Sequence, residues 1–427
     1  MNMKSEEETW IAAPAGTDLG RRRFIAGIGA SAAIVSSGTL MRPARAQAPL
    51  NVGILLPVSG VQAALGQSSK RGADIAASVL SDLGYKVPIR LMHADIESNV
   101  DVARSRAEKL INDGAQLLIG AFDSGATAAI AQVCEQKGVP LIVNIAAAPQ
   151  ITEQGYKFVF RNFPTAVDLV RNGLALTGDL FRATNTVART AVFMHVNDTF
   201  GQAMKGGINA LMPRLTELPF RIVETIPYDV AARDLSVEVA KAKATNADIL
   251  LLVCRLNDAI LVRREMVKQR WSPMGIIGPG NPGLYEAQFF QTLGKLSEHC
   301  ITNIAWHNPK SSLTKLVDAA YTKTFRGEKL LFHAFNVGFT FEAIMVAADA
   351  YQRAKSTDGK TLAEAIRQTN ISSRMMIGGP IKFNAKGQVE GIASACVQNL
   401  NLRPTVVLPA EYAEAKPVFP VPEYKRV

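Results

Sequence analysis

Cysteine is scarce in this chain of 427 residues: Cys134, Cys254, Cys300 and Cys396, with no two placed as C-x-x-C. That spacing excludes a zinc knuckle and a thioredoxin-type pair. The five histidines (His93, His195, His299, His307, His333) include no H-x-x-x-H or similar pattern, so no metal centre is expected. His195, inside an apolar run, reads as a core histidine. Aromatic residues make up 7 % and do not interleave with basic clusters, which removes the stacking platform that nucleic acid would need. The formal net charge is +10, but lysines and arginines are scattered among acids, with no run beyond Arg21–Arg23. The reading is a mildly basic surface with some preference for anionic ligands and no nucleic-acid partner.

Two catalytic signatures are also missing. Gly359-Lys360-Thr361 ends like a phosphate-binding loop, but the required earlier glycine is Ala354. Around Ser124 the glycines of G-x-S-x-G are replaced by Phe122 and Ala126. No cofactor and no catalytic constellation is expected.

What is present begins with "GRRRFIAGIGASAAIVSSGTLMRPARAQA". Arg21 to Ile25 resemble a twin-arginine export signal, and Ala44-Arg45-Ala46 is an A-x-A cleavage site. Phe24–Leu40 is too short and too diluted with Gly, Ala and Ser for a spanning helix. Gly27-x-Gly29-x-x-Ala32 mimics a dinucleotide fingerprint, but three arginines precede it instead of a strand. Residues 1–46 are therefore expected to be a leader read by the twin-arginine translocase, and the mature chain to be periplasmic.

From Gln47 onward, continuous apolar strands alternate with helical runs, which implies parallel sheets covered on both faces. "NVGILLP", "VPIRLMHAD", "AQLLIGAF" and "VPLIVNIA" form one set, and the rhythm restarts after "FRNFPT" with "RTAVFMHVND", "RIVETIPYD", "ADILLLVC" and "GIIGPG". Two α/β lobes follow from this. Long helices are expected over 313–325 and 335–355, a hairpin turning near Asn384–Gly387, and a proline-rich extended tail. Cys254 and Cys300 lie in strand-like stretches, where a disulfide and buried free thiols are both open.

The blocks "GILLPVSG", "ADIESN", "INDGAQLLIGAFDSGATAA", "GVPLIVNIAAAPQITEQGYKFVFR", "HVNDTFGQAM", "IIGPGN" and "IGGPIKFNAKGQ" resemble, in order and spacing, ABC-importer solute-binding proteins of the branched-chain amino acid type. The resemblance covers roughly residues 50 to 400. It implies a type I periplasmic binding fold: two Rossmann-like lobes joined by three crossovers, near Arg161–Thr165, Asn303–Asn308 and Gly378–Phe383. Lobe 1 would be 47–163 plus 308–380, and lobe 2 would be 164–307 plus 381–427. It also implies a permease in the inner membrane as partner, and closure of the lobes on a solute.

By the same resemblance Ser124 holds the solute's carboxylate. The turn lies at the carboxyl end of a strand, beside a helix N-terminus, and Gly125 permits close approach. Asp123 is expected to point outward, to cap the helix, or to meet a polar group on the solute. The chain departs from amino-acid binders where the ammonium is held: their threonine aligns with Ala147 beside Ala146, their acid with Gly280, and their aromatic groups with Leu65 and Phe200. A buried ammonium without a partner is costly, so the expected solute is a small hydrophobic carboxylate of the aromatic or 2-oxo acid kind. Phe122, Phe163, Phe200 and Leu65 would line its apolar part, and Arg255 could clamp a second polar group. The alternatives are an amino-acid binder using Asp123, Asp198 or Asp258, a receptor without transport, and a hydrolase using Ser124.

Overall fold

Apolar runs without alternation become central parallel strands, buried on both faces. The computed structural model describes residues 8–11, 48–216 and 218–422. Strands β2 (Leu50–Leu56), β3 (Ile89–Asp95), β4 (Leu117–Gly120), β5 (Leu141–Val143) and β6 (Val159–Arg161) pair in parallel in the order β3-β2-β4-β5-β6. Successive residues of β2 feed two separate cores: Val52, Ile54 and Leu56 enter one, and Leu55 joins Leu118 and Val143 in the other. The Arg21–Arg23 and Ala44–Ala46 motifs lie outside the described residues. Upstream of them, β1 (Glu8–Ile11) runs antiparallel along β3, Glu8 opposite Met92 and Ile11 opposite Ile89, a pairing the leader reading did not include.

The second sheet holds β7 (Thr190–Val196), β8 (Arg221–Tyr228), β9 (Ile249–Val253), β10 (Gly275–Gly278), β11 (Ile301–Ala305), β12 (Ser394–Leu400) and β13 (Arg403–Leu408), in the order β13-β12-β11-β10-β9-β7-β8. Its first five strands are parallel and its last two antiparallel. β12 was not anticipated, and β13 falls in the segment read as an extended tail. Pairing with β11 turns this sequence into sheet, where its valines are buried.

Between β11 and β12 the chain returns to the first lobe. The helix Ala334–Ala354, buried over nearly its whole length, packs on the helix Ala63–Asp74. The expected hairpin is present as bridges Gly378–Ile392 and Phe383–Val389 with a turn closed by Gly387 N–H to Asn384 O. At the crossovers, Glu342 accepts from Arg374 Nη2 at 2.9 Å and from the Met375 and Met376 amides at 2.7 and 3.0 Å. All four cysteines are buried free thiols. His195 stacks on Phe193 and donates from Nδ1 to Val196 O at 2.9 Å, as a core histidine does. Among the described residues no helix is long and apolar enough to cross a membrane.

One close approach fixes the second lobe's edge of the cleft. The helix Thr199–Leu211 starts directly beyond β7, and a Cβ on Gly201 would stand 1.7 Å from Val196 O. Gly201→Ala is therefore expected to cost on the order of 3 kcal/mol or more, read as a fall in the urea midpoint at unchanged slope.

Candidate functional site: the cleft between the lobes

Three helix N-termini converge at the carboxyl ends of the strands, where open α/β sheets bind ligands. After β4 the backbone turns through Phe122 at φ 74°, a left-handed conformation that costs a bulky residue energy and persists only where its surroundings hold it. Asp123 then caps the helix Ser124–Lys137: its Oδ1 accepts from the Gly125 and Ala126 amides at 2.9 and 3.0 Å. The free amides expected at this helix end are thus occupied, and Asp123 caps the helix as anticipated. Across the seam, Asp198 caps the helix Thr199–Leu211 through Gly201 N–H at 2.8 Å. Arg255 heads the third helix, Leu256–Lys268, with its amide given to Asp258 at 2.9 Å.

Arg255 joins the three. Its Nη2 donates to Asp123 Oδ2 at 3.0 Å, its Nη1 contacts Asp198 Oδ2, and its guanidinium lies over the Phe200 ring, 5.2 Å from the centroid. Asp123 Oδ2 also accepts from Gln62 Nε2 at 3.1 Å. Burial opposes the charge on Arg255, but Asp198 and Asp123 outweigh it and hold its pKa above the usual value. Burial pushes the Asp258 carboxyl up to about 6, against the pull of a hydrogen bond from Tyr228 and of the Arg255 charge. The bridge crosses from the first sheet's side to the second's, and so ties the lobes together.

Arg255 also separates two spaces. Outside it lies a recess lined by Gln62, Leu65, Asn257 and neighbours. Inside lies a tightly closed pocket walled by Phe122, Ile145, Ala146, Ala147, Phe163, Phe200, Gly280, Pro282 and Phe335, with Arg255 its one charged wall. Six of the sequence-derived residues, Phe122, Ala146, Ala147, Phe200, Arg255 and Gly280, meet here, and Phe163 with them. Leu65 belongs to the outer recess. Ser124 stands behind the wall, 1 % exposed, its Oγ accepting from Ala148 N–H at 3.3 Å. Gly125 faces the other lobe, where an added Cβ would meet Thr199 Oγ1 at 3.3 Å.

Sequence reasoning missed Ile145, Pro282 and Phe335. Phe335 sits on a helix that was expected but given no role at the site, and only the return of the chain to the first lobe brings it to the cleft. Its ring meets Phe163 edge-on at 5.8 Å and Tyr285 at 5.8 Å. Beside it, Glu286 of the second lobe and Asn336 of the first are buried. Burial pushes Glu286 up to about 8, with Asn336 pulling weakly the other way. No group of three or more metal-ligating side chains occurs among the described residues.

Two sheets enclosing an interlobe pocket define a two-lobe solute-binding protein. The family described as "Periplasmic binding protein" matches residues 49–398, and the chain belongs to that family. Membership of that family implies a binding protein that works outside the cytoplasm. The Leu/Ile/Val-binding protein homolog 8 of Brucella abortus is 24% identical over 432 residues, spanning 92% of this chain and 98% of that one. The leucine-binding protein LivK of Thermotoga maritima superposes with a TM-score of 0.72 at 20% identity, over 84% of this chain and 97% of that one. A Rhodopseudomonas palustris ABC-transporter solute-binding protein in complex with 3,4-dihydroxybenzoic acid gives a TM-score of 0.69 at 20% identity, over 83% and 95%.

Two outcomes are expected from this geometry. Arg255→Leu leaves Asp123 and Asp198 opposed without a cation, so stability falls by about 3–5 kcal/mol and small-angle scattering shows a larger radius of gyration. Glu286 has a folded-state pKa of about 8, above the roughly 4.3 of an unfolded glutamate. The native state therefore keeps a proton that the unfolded chain loses, and the stabilisation is complete below about pH 4.3 and lost as pH rises to 8. The urea midpoint is expected to fall over that window, and Glu286→Gln to flatten the fall.

Proposed function

We propose that this protein is an exported ABC-importer component that closes on a small hydrophobic carboxylate, of the aromatic or 2-oxo acid kind, and delivers it to an inner-membrane permease. The lobes would be 47–163 plus 308–380 and 164–307 plus 381–427, and export would use the twin-arginine leader. The observation that carries the ligand class is the lack of a spare acid at the inner pocket. Asp123 and Asp198 are both committed to helix caps and to Arg255. Gly280 has φ 103°, and a Cβ there would stand 2.7 Å from Leu169 Cβ, so this backbone takes no acidic side chain at that position. An ammonium would enter unpaired among phenylalanines, at heavy desolvation cost.

Phe122, Ala146, Ala147, Phe200 and Gly280 are then the apolar walls, and Leu65 and Arg255 the mouth. Ser124 and Gly125 mark the head. A carboxylate oxygen reaching Ser124 would replace the long Ser124–Ala148 contact with hydrogen bonds from both the hydroxyl and the Ala148 amide. Micromolar affinity needs about 8 kcal/mol, more than one charge-assisted contact of roughly 1.5–3 kcal/mol provides, so the aromatic walls supply the remainder. Ser124 meets a backbone amide rather than a histidine, which favours binding over hydrolysis.

One observation favours a second reading, amino-acid binding: two carboxylates face the single guanidinium of Arg255. A thermal-shift panel on the leaderless protein separates the two. Benzoate and branched 2-oxo acids are expected to raise Tm with concentration, while leucine, isoleucine and valine leave it unchanged; the reverse pattern ends the carboxylate assignment. Ser124→Ala is expected to weaken acid binding about tenfold, on the order of one hydrogen bond to a charged group, with the protein still folded. Unaltered affinity would take Ser124 out of the site.

A further inference from the structure

We infer that Arg161 sets the pocket's preference for anions, acting through the loop Ala146–Ala148 from behind the pocket wall. This rests on the ligand class proposed above and names the charge that selects it.

Arg161 ends β6 and is 0 % exposed. All its side-chain bonds go to neutral acceptors. Nε donates to Gln388 Oε1 at 2.6 Å, Nη1 to Ala146 O at 3.1 Å and Ala148 O at 2.7 Å, and Nη2 to Thr152 Oγ1 at 2.8 Å. Among the described residues it forms no ion pair. Asp168 and Glu153 act on it only from a distance, and Asp168 is engaged by Arg171 at 2.6 Å and Thr165 at 2.7 Å. A fully buried guanidinium without a counter-charge is expensive, and a lone hydrogen-bonded arginine keeps its proton. Its field is therefore uncancelled in a region of low dielectric.

Its position aims that field at the ligand space. Two of its acceptors belong to the pocket loop: Ala146 lines the pocket, and Ala148 is the residue whose amide meets Ser124 Oγ. The Ala146–Ala147 peptide is trans, since it is not among the cis bonds. With its carbonyl drawn to Arg161, its N–H is directed away from the guanidinium. That peptide dipole thus has its positive end turned from the buried charge. Of the two guanidiniums beside the pocket, Arg255 is matched twice over by Asp123 and Asp198. It offers no net positive field, which leaves Arg161 as the source.

A loop anchor alone would serve benzoate and its neutral isostere benzamide alike, so calorimetry with both probes tests the inference. The leaderless wild type is expected to prefer benzoate. Arg161→Gln, which removes the charge and keeps hydrogen-bonding capacity, is expected to lose about tenfold or more in benzoate affinity, with benzamide changing less than about threefold. Arg161→Lys and Gln388→Leu, which keep the charge, are expected to retain most of the preference. An undiminished preference in Arg161→Gln, or equal loss for both probes, overturns the inference. Should Arg161→Gln fail to fold, the two charge-keeping variants decide: a preference kept in both supports the inference, and a preference lost in either overturns it. A wild type that binds leucine and no acid defeats the ligand class itself, whereas benzoate binding indifferent to Arg161→Gln defeats only this inference.

Discussion

The guanidinium of Arg255, held between Asp123 and Asp198, is the contact on which the architecture of the cleft turns. Three helix N-termini with their positive dipole ends meet there, an arrangement that would repel without carboxylates between them. Asp123 and Asp198 each do two things: they cap a helix through backbone amides, and they face Arg255 through the remaining oxygen. Buried ion pairs are weak sources of net stability, but breaking one is costly. The bridge is therefore better understood as a device for specificity. It defines one closed arrangement of two lobes and walls the inner pocket off from the outer recess.

The two-lobe fold was legible because parallel strands buried on both faces appear as uninterrupted apolar runs, and "ILLLV" or "LLIG" has little other use. The antiparallel strands β12 and β13 were not, because their patterning is broken by prolines and polar residues and depends on pairing with β11, almost a hundred residues earlier. The site divides in the same way. Phe122, Ala147, Phe200 and Gly280 follow strand ends, and strand ends are visible in sequence. Phe335 reaches the pocket only through the crossover geometry, whereas Pro282 lies in the same post-strand loop as Gly280. Ser124 shows the limit of motif matching: its place beside the turn was anticipated, but its hydroxyl is directed to the Ala148 amide rather than to the pocket. The role of Asp198 was beyond local reading, since its partner Arg255 lies 57 positions away.

Behind the pocket, polar groups rather than apolar ones join the two lobes' connections. Arg161 and Gln388 link β6 to the turn at Asn384–Gly387, and Gln388 reaches on to Phe163 O at 2.7 Å. Glu342 and Arg374 do the same between the long helix and the last crossover. Hydrogen bonds have strict geometry, and dispersion contacts do not. Connections built from them are therefore directional, unlike the apolar contacts of the pocket walls. This accords with a cleft whose front is charged, whose middle is aromatic and whose back is a network of directed bonds.

The long helix that lines the cleft with Phe335 comes from a segment made late. The first sheet is complete at Arg161, yet the helix covering one of its faces ends at Ala354. At roughly 5–20 residues per second, the ribosome needs on the order of 10–40 s to add the intervening stretch. Throughout that time Val52, Ile54 and Ile119, all members of the core this helix completes, share it only with the earlier helices Ala63–Asp74 and Ala76–Asp82. The nascent chain thus carries an incompletely covered β-layer while five strands of the second lobe are synthesised. A protein with its lobes interleaved in this way finishes its first core only after most of its second lobe has been made.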